Sequence, residues 1–373
     1  MRLEMKILID VRKLSSKPSG IGIYTFNFIQ SILDSEIKII LISDVLESFE
    51  LNQLKKIGID VICYGKKVDK NLDVYKYFKY IQKNIFKIKP DIFWEPNNIM
   101  PINIKNPFGA VVTTIHDIFP ITTPEYYGLI YKLYFRFCIN RTINASDAFI
   151  YVSEDTKDNV EEVFKKSVKK KKFVSYNIVD VKNNKIKNDD YNYFLYIGNI
   201  EKRKGVDLLI ESFKLYREEG GEKLLYIAGN IRDNKIKEKI DEINRVDNSI
   251  ILKGYISSSE KNKLLENCSC FVFPSKAEGF GIPPIEAISF NKPCIVSDIN
   301  IFKEVLSDGV DYFKIEDENK KSIINLKNKL FNYKKIDEIY RKNIISKYSS
   351  ANLGVNFLEF ITSIVQNGVK NEI

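Results

Sequence analysis

An α/β protein with two doubly wound parallel sheets is the fold class this sequence predicts, on three observations. Apolar runs of strand length alternate with helix-period segments from end to end. The strand candidates are apolar runs, and their alternation with helices implies parallel sheets covered on both faces. A polar stretch near the middle, residues 181–192 (VKNNKIKNDDYN), interrupts the alternation and reads as a linker. The chain has 373 residues, room for about two domains at roughly 150 residues each. The domains are expected at 1–180 and 193–350, with a last helix at 351–373 packing back on the first.

In the first half, MKILID, IKIILIS, AVVTTIHD, DAFIYVS and KKFVSY read as strands and IYTFNFIQSIL as a helix. In the second half, YFLYIGN, KLLYIAGN, SIILKG, CFVFPS and CIVSD read as strands, separated by helices in VDLLIESFKLY, NKIKEKIDEI, SEKNKLLEN and PIEAISF. Val206, Leu209, Ile210 and Phe213 stand at i, i+3, i+4 and i+7, one face of a helix.

Composition narrows the class. The chain is 44% hydrophobic and 29% charged, which excludes a disordered chain. No apolar run reaches the ~18 residues of a membrane-spanning helix, and MRLEMKILIDVRKL reads as a first strand, not a secretory signal. Cys63, Cys138, Cys268, Cys270 and Cys294 form no C-x-x-C pair and are expected as core residues of a cytoplasmic protein. The net charge of +9 is uneven: residues 1–178 hold 27 Lys+Arg against 20 Asp+Glu. Such an excess suits an anionic partner.

Four loops after strands carry candidate chemistry, because ligands of doubly wound sheets bind at the carboxyl ends of strands. In KPSGIGIYT, Gly20 and Gly22 bring backbone amides to a helix start where an anion could lie, or simply make a tight turn. In TTIHDIFP, the single histidine, His116, follows a strand; it is a hydrogen-bonding group for a ligand or a buried structural histidine. In GNIEKRKGVD, Arg203 and Lys204 precede a helix whose dipole disfavours cations there. A phosphate would neutralise them, and a solvated basic loop is the alternative. In FPSKAEGFGIPPIEAISF, Glu278 lies in the loop and Glu286 in the expected first turn of the next helix, with the amides of Phe280, Gly281 and Ile282 between them. A carboxylate can accept hydrogen bonds from two neighbouring hydroxyls of a sugar.

E-G-F-G-I-P-P-I-E, with G-N-I-E-K-R-K-G-V-D-L-L-I and T-I-H-D-I-F-P, resembles the family 4 retaining glycosyltransferases of the GT-B fold, in particular bacterial O-antigen and capsule mannosyltransferases. The resemblance covers most of the chain and is strongest over about 195–305. It implies two Rossmann-like domains facing a central cleft, and a hexose moved from a nucleotide-diphosphate sugar, GDP-mannose first, to a glycan or lipid-linked glycan in surface polysaccharide synthesis. Glu286 would hold the ribose, and Glu278 the transferred sugar. The Phe280–Ile282 amides would touch sugar and phosphate, and Arg203 and Lys204 the diphosphate. His116 would line the reacting centre, Gly20 and Gly22 would approach the phosphates, and Tyr255 and Ile256 would present backbone groups to the base. Many members carry an arginine where this chain has Asn199, so the Arg203–Lys204 pair is expected to supply that charge. No strand-ended D-x-D suggests a metal, and no cofactor is expected.

The competing expectations are a non-catalytic nucleotide-sugar-binding protein and another GT-B enzyme such as a sugar-nucleotide epimerase. No nucleic-acid-binding motif is present. Lys76, Lys79, Lys83 and Lys87 share one side of a helical pattern with Tyr77, Ile81, Ile85 and Ile88 on another. With the lysines of 165–172, this suggests peripheral contact with an anionic membrane, or an ordinary packed surface helix.

Overall fold

The computed structural model describes residues 5–16, 19–69, 71–179 and 192–368. The linker expected at 181–192 lies, apart from Asn192, outside them. The chain divides into two compact units, one of Met1–Ile178 with Ser350–Ile373, the other of Val179–Ser349.

The first unit is built on seven parallel strands: β1 (Met5–Asp10), β2 (Ile37–Ser43), β3 (Asp60–Cys63), β4 (Ile92–Glu95), β5 (Ala110–Ile115), β6 (Ala148–Tyr151) and β7 (Lys171–Val174). Their order in the sheet is β3-β2-β1-β4-β5-β6-β7. β1 is central, with Ile7 opposite Ile39 on one side and Ile92 on the other. Its residues Ile7, Leu8 and Ile9 are buried on both faces of the sheet, which is why the strand reads as an unbroken apolar run.

The helix Asn71–Ile88 packs Tyr77, Phe78, Ile81 and Ile85 against Leu8, Ile40, Ile42 and Phe93. Lys76, Lys79, Lys83 and Lys87 are on its exposed side. The helix is therefore packed on its domain through its apolar side, and its lysine side is exposed.

The helix Ser350–Gly368 belongs to the first unit although it follows the second in sequence. Gly354 lies against Ser31, where a Cβ would approach the serine Cβ to 2.6 Å. The Phe357 ring lies 4.6 Å from Phe28 and 4.9 Å from Trp94 between centroids.

The second unit holds six parallel strands: β8 (Tyr193–Ile197), β9 (Leu224–Ala228), β10 (Ile250–Gly254), β11 (Cys270–Phe273), β12 (Cys294–Ser297) and β13 (Asp311–Phe313). They are ordered β10-β9-β8-β11-β12-β13. The helix Val206–Glu218 buries Val206, Leu209, Ile210 and Phe213, the face its sequence spacing indicates. All five cysteines are free thiols, and Cys138, Cys268, Cys270 and Cys294 are buried as small core residues.

Trp94 is the only tryptophan and is fully buried beside Phe357, so its fluorescence reports on the docked C-terminal helix. Phe357→Ala is expected to red-shift that emission and to cost about 3–5 kcal/mol of stability. An unchanged spectrum and melting curve would show that the helix is not held through this ring.

Candidate active site

In the second unit the strand order reverses between β8 and β11, and a crevice opens at the carboxyl ends of such a pair. The turn Lys202–Lys204 follows β8 and the loop 274–281 follows β11. The two are stitched together: the Lys276 amide donates to the Arg203 carbonyl at 2.9 Å, and Arg203 Nη1 donates to the Ala277 carbonyl at 2.7 Å. Arg203 Nη2 also donates to Glu201 Oε1 at 2.9 Å. Lys204 is thereby aimed at Glu278, and its Nζ donates to Glu278 Oε1 at 2.5 Å. Ser275 Oγ donates to the same oxygen at 2.6 Å.

Glu278 is only 9% exposed. Burial alone would raise its pKa, but the Lys204 ammonium, then Arg203, then the hydrogen bonds from Lys204 and Ser275 outweigh that, and the carboxyl is held below the usual carboxylate range. The sequence offered Arg203 and Lys204 as equivalent cations. The structure gives them different contacts: Arg203 braces the loop and lies 4.0 Å from Glu278 Oε2, and Lys204 makes the closer contact to the same carboxylate. At the position of the missing family arginine, Asn199 uses its carbonyl to accept a 2.8 Å bond from the Tyr196 hydroxyl.

Phe280 is buried, its ring 5.4 Å from that of Tyr348. Gly281 follows at φ +98°, a conformation that favours glycine; a Cβ there would also meet Phe302 at 2.6 Å. The helix Ile282–Ser289 starts at this glycine with no side-chain cap; Pro283 and Pro284 have no N–H, so the Ile282 amide is the one N–H of its first three residues suited to an anionic ligand. Because the helix begins ahead of Pro283 and Pro284, Glu286 lies in its second turn, not the first. A dipole-complementing role there is therefore weakened. Glu286 instead receives a hydrogen-bonded ion pair from Lys261. Lys261 lies on the helix Ser258–Asn267, which follows Tyr255 and Ile256 at the end of β10. Tyr255 is exposed and Ile256 half-buried. Each candidate glutamate thus holds a lysine in the absence of ligand, and Lys261, in a lysine-rich amphipathic segment, carried no signal that set it apart.

In the first unit the order reverses between β1 and β4, and a charged cluster that the sequence did not point to lies there. Asp10 ends β1 and Glu95 ends β4. The Arg12 side chain lies between them, Nε 3.2 Å from Asp10 Oδ2 and Nη2 3.7 Å from Glu95 Oε1. It stacks 4.6 Å from the Phe78 ring centroid. Tyr77 donates to Asp10 Oδ1 at 2.8 Å. Burial first, and then Asp10, push the Glu95 pKa well above the carboxylate range. Arg12 thus stands between two carboxyls, closer to Asp10 than to Glu95.

His116 follows β5, keeping one edge open to solvent. Its backbone N–H donates to Asn98 Oδ1 at 2.7 Å, and its ring packs edge-on against Tyr24 at 4.8 Å. Nε2 is 2.9 Å from the Pro96 carbonyl. A carbonyl can only accept, so Nε2 carries the proton and Nδ1 is the acceptor. Burial lowers the His116 pKa to about 4, against a smaller opposite effect of the Pro96 bond. Gly20 opens the helix Gly20–Ser31, and Ser19 Oγ accepts from the Gly22 amide at 3.2 Å. A Cβ on Gly22 would lie 2.2 Å from the Lys13 carbonyl, so close packing of residues 13 and 14 already requires a glycine there. Among the described residues, no group of three or more His, Cys, Asp or Glu side chains could hold a metal ion.

As the only histidine, His116 can be titrated by proton NMR without assignment. Its midpoint is expected near 4, with the ring neutral throughout the physiological range. Since the folded pKa lies below the unfolded value of about 6.5, its contribution to stability is complete above that value and declines as pH falls toward 4. A midpoint near 6.5 would show that the ring is solvated.

The family model described as "Glycosyltransferase Family 4" matches residues 18–183, and that described as "Glycosyl transferases group 1" matches residues 179–347. Together they span nearly all of both units. The chain is 31% identical over 215 residues to the O-antigen chain mannosyltransferase RfbU of Salmonella typhimurium, covering 55% of this chain and 57% of that relative. It is 26% identical over 307 residues to a glycosyltransferase of Methanocaldococcus jannaschii, covering 80% and 81%. It is 25% identical over 243 residues to the O-antigen chain mannosyltransferase B of Escherichia coli, covering 59% and 60%. Among solved structures, Anabaena HepE with UDP and glucose superposes with a TM-score of 0.71 at 15% identity, over 96% of this chain and 100% of that one. Sucrose-phosphate synthase of Thermosynechococcus elongatus gives 0.73 at 11%, over 97% and 100%; both likenesses concern the fold. Two parallel-sheet units, the paired glutamates after β11 and these matches agree: the chain belongs to the family 4 glycosyltransferases of the GT-B fold.

Proposed function

We propose that the protein transfers a hexose, mannose in the first instance, from a nucleoside-diphosphate sugar to a glycan or lipid-linked glycan acceptor in surface polysaccharide synthesis, with retention of anomeric configuration and without a metal. The observation that carries this reading is the cation–carboxylate pair Lys204–Glu278 at the β8/β11 switch point, next to an uncapped helix N-terminus. It offers one charge of each sign where a sugar diphosphate needs both. The relatives named as O-antigen mannosyltransferases support the choice of mannose, hence GDP-mannose as first donor. The HepE complex, named for UDP-glucose in a companion structure, supports a nucleotide-sugar donor in general.

In this mechanism the bond between the sugar C1 and the diphosphate oxygen breaks, and negative charge grows on the leaving diphosphate. Lys204 and the Ile282 amide stabilise that charge, and they are held in place before the reaction begins. The acceptor oxygen bonds to C1 on the face the diphosphate leaves. The acceptor's proton passes to the departing phosphate oxygen. Glu278 accepts hydrogen bonds from hydroxyls of the transferred sugar, and Glu286 from the ribose. We assign the acceptor to the first unit. His116, neutral at physiological pH, acts there as a hydrogen-bonding group and not as a cation or acid.

A thermal-shift and hydrolysis panel tests this reading, using GDP-mannose, UDP-glucose, UDP-N-acetylglucosamine, UDP-galactose and dTDP-rhamnose with and without EDTA. One donor is expected to stabilise the wild type and be hydrolysed slowly. Glu278→Gln and Glu286→Ala are each expected to lower turnover about 10²-fold or more. A donor that binds and is never hydrolysed, with or without glycan acceptors, would favour the non-catalytic binder. Loss of turnover in EDTA, or a product of inverted configuration, would overturn those parts of the mechanism.

A further inference from the structure

The helix Leu129–Ala145 departs from the rule that an outward helix face is polar. Its buried side is Phe135, Cys138, Ile139, Thr142 and Ile143. On the opposite side stand Ile130 (85% exposed), Leu133 (61%) and Phe137 (53%), with Leu129 beside them at 67%. These spacings of three and four residues make one continuous stripe over the first two turns. Among the described residues these side chains are exposed, and scattered single exposures do not produce such a row.

The charges around the stripe have one sign. The helix contains no Asp or Glu and carries Lys132, Arg136 and Arg141. Arg141 lies over the Phe137 ring at 4.4 Å, so cation and apolar face form one surface. The fold brings the distant lysine run of 165–172 to the same helix: Lys166 donates to Asn144 Oδ1 at 3.3 Å, and Lys170 to the Ile143 carbonyl at 2.5 Å. Among the described residues, none of Lys132, Arg136, Arg141, Lys165, Lys166 and Lys169 has a carboxylate within ion-pair distance. An apolar stripe on a helix whose own charged side chains are all cations is complementary to an anionic lipid surface, where acyl chains take the apolar groups and headgroups the cations. Among the described residues no helix is long and apolar enough to cross a membrane, so the contact is of the kind that lies on one.

The start of the helix also adjoins the candidate site. It packs on the short helix Phe119–Thr122, which begins three residues after His116.

We infer that the exposed face of the helix Leu129–Ala145, with the adjoining lysines of 165–172, docks the protein on an anionic membrane surface beside the His116 loop. This goes beyond the glycosyl-transfer reading and does not require it. It replaces the helix Asn71–Ile88, whose apolar side is spent in the core.

The test is flotation of the full chain, without donor, on phosphatidylcholine vesicles with and without phosphatidylglycerol. Four proteins are compared: wild type, the triple variant Ile130→Ser, Leu133→Ser, Phe137→Ser, the triple variant Lys132→Gln, Arg136→Gln, Arg141→Gln, and a control with Lys76, Lys79, Lys83 and Lys87 each changed to Gln. Unchanged Trp94 emission certifies the fold of each. Wild type and control are expected to float with the anionic vesicles only, less so in high salt, and each triple variant to lose roughly tenfold or more of that binding. The inference is overturned if wild type ignores anionic vesicles at low salt, or if both triple variants bind as well as wild type. It is also overturned if the stripe proves to join two copies of the chain, seen as a wild-type dimer in sedimentation that ignores vesicles and that the serine variant dissociates.

Discussion

The Lys204–Glu278 pair is the interaction on which the second unit's chemistry depends. A carboxylate this deeply enclosed would not stay ionised without a cation in contact, and a lysine at a helix start has no local reason to be there. Each makes the other tenable. The pair also fixes the geometry of two loops, because Arg203, next in sequence to Lys204, ties the turn after β8 to the loop after β11 through the Ala277 carbonyl and the Lys276 amide. The site is therefore held in shape and charge-balanced before any ligand arrives. In the function we propose, a diphosphate entering it would offer Lys204 a second anion and the sugar would offer Glu278 hydroxyl donors, so that binding would exchange partners and leave neither charge stranded.

The same economy of charge governs the first unit. Asp10, Arg12 and Glu95 converge at its switch point, and burial together with Asp10 pushes the Glu95 pKa well above the carboxylate range. The Arg12 guanidinium lies on the Phe78 ring, and Tyr77 donates to Asp10, so the cluster is tied to the same helix that covers β1. Beside it, the enclosure of His116 selects the neutral ring, and the Pro96 carbonyl selects the tautomer. In both units the groups at the carboxyl ends of the strands are set by neighbours that arrive from elsewhere in the chain.

That explains which parts were legible in the sequence. The strands of both sheets announce themselves where they are long and wholly apolar, as in MKILID and IKIILIS. IFWE, the four residues of β4, is too short for a period and ends in a charge, so the sheet's switch point was invisible. Glu278 and Lys204 stood out because each was a charge in a loop after a strand with no local partner. The partners themselves did not stand out: Lys261 reaches Glu286 from a different helix, and Arg12 reaches Glu95 across the sheet. The amphipathic reading of residues 75–90 identified a true helix, but period alone does not tell a core face from a free one. Leu129–Ala145, apolar around much of its circumference, showed no period at all until its buried side was known.

The exchange of partners at Lys204 is the central claim, and calorimetric titration of a nucleoside diphosphate, without its sugar, measures it directly. Lys204→Ala should weaken binding severely, because Lys204 makes the closer of the two cation contacts to Glu278, the other being Arg203 at 4.0 Å. Glu278→Gln should bind more tightly than wild type, because the lysine no longer has to leave a carboxylate. If Glu278→Gln instead weakens diphosphate binding as much as Lys204→Ala does, the two residues act as one fixed binding unit, and the exchange account is wrong.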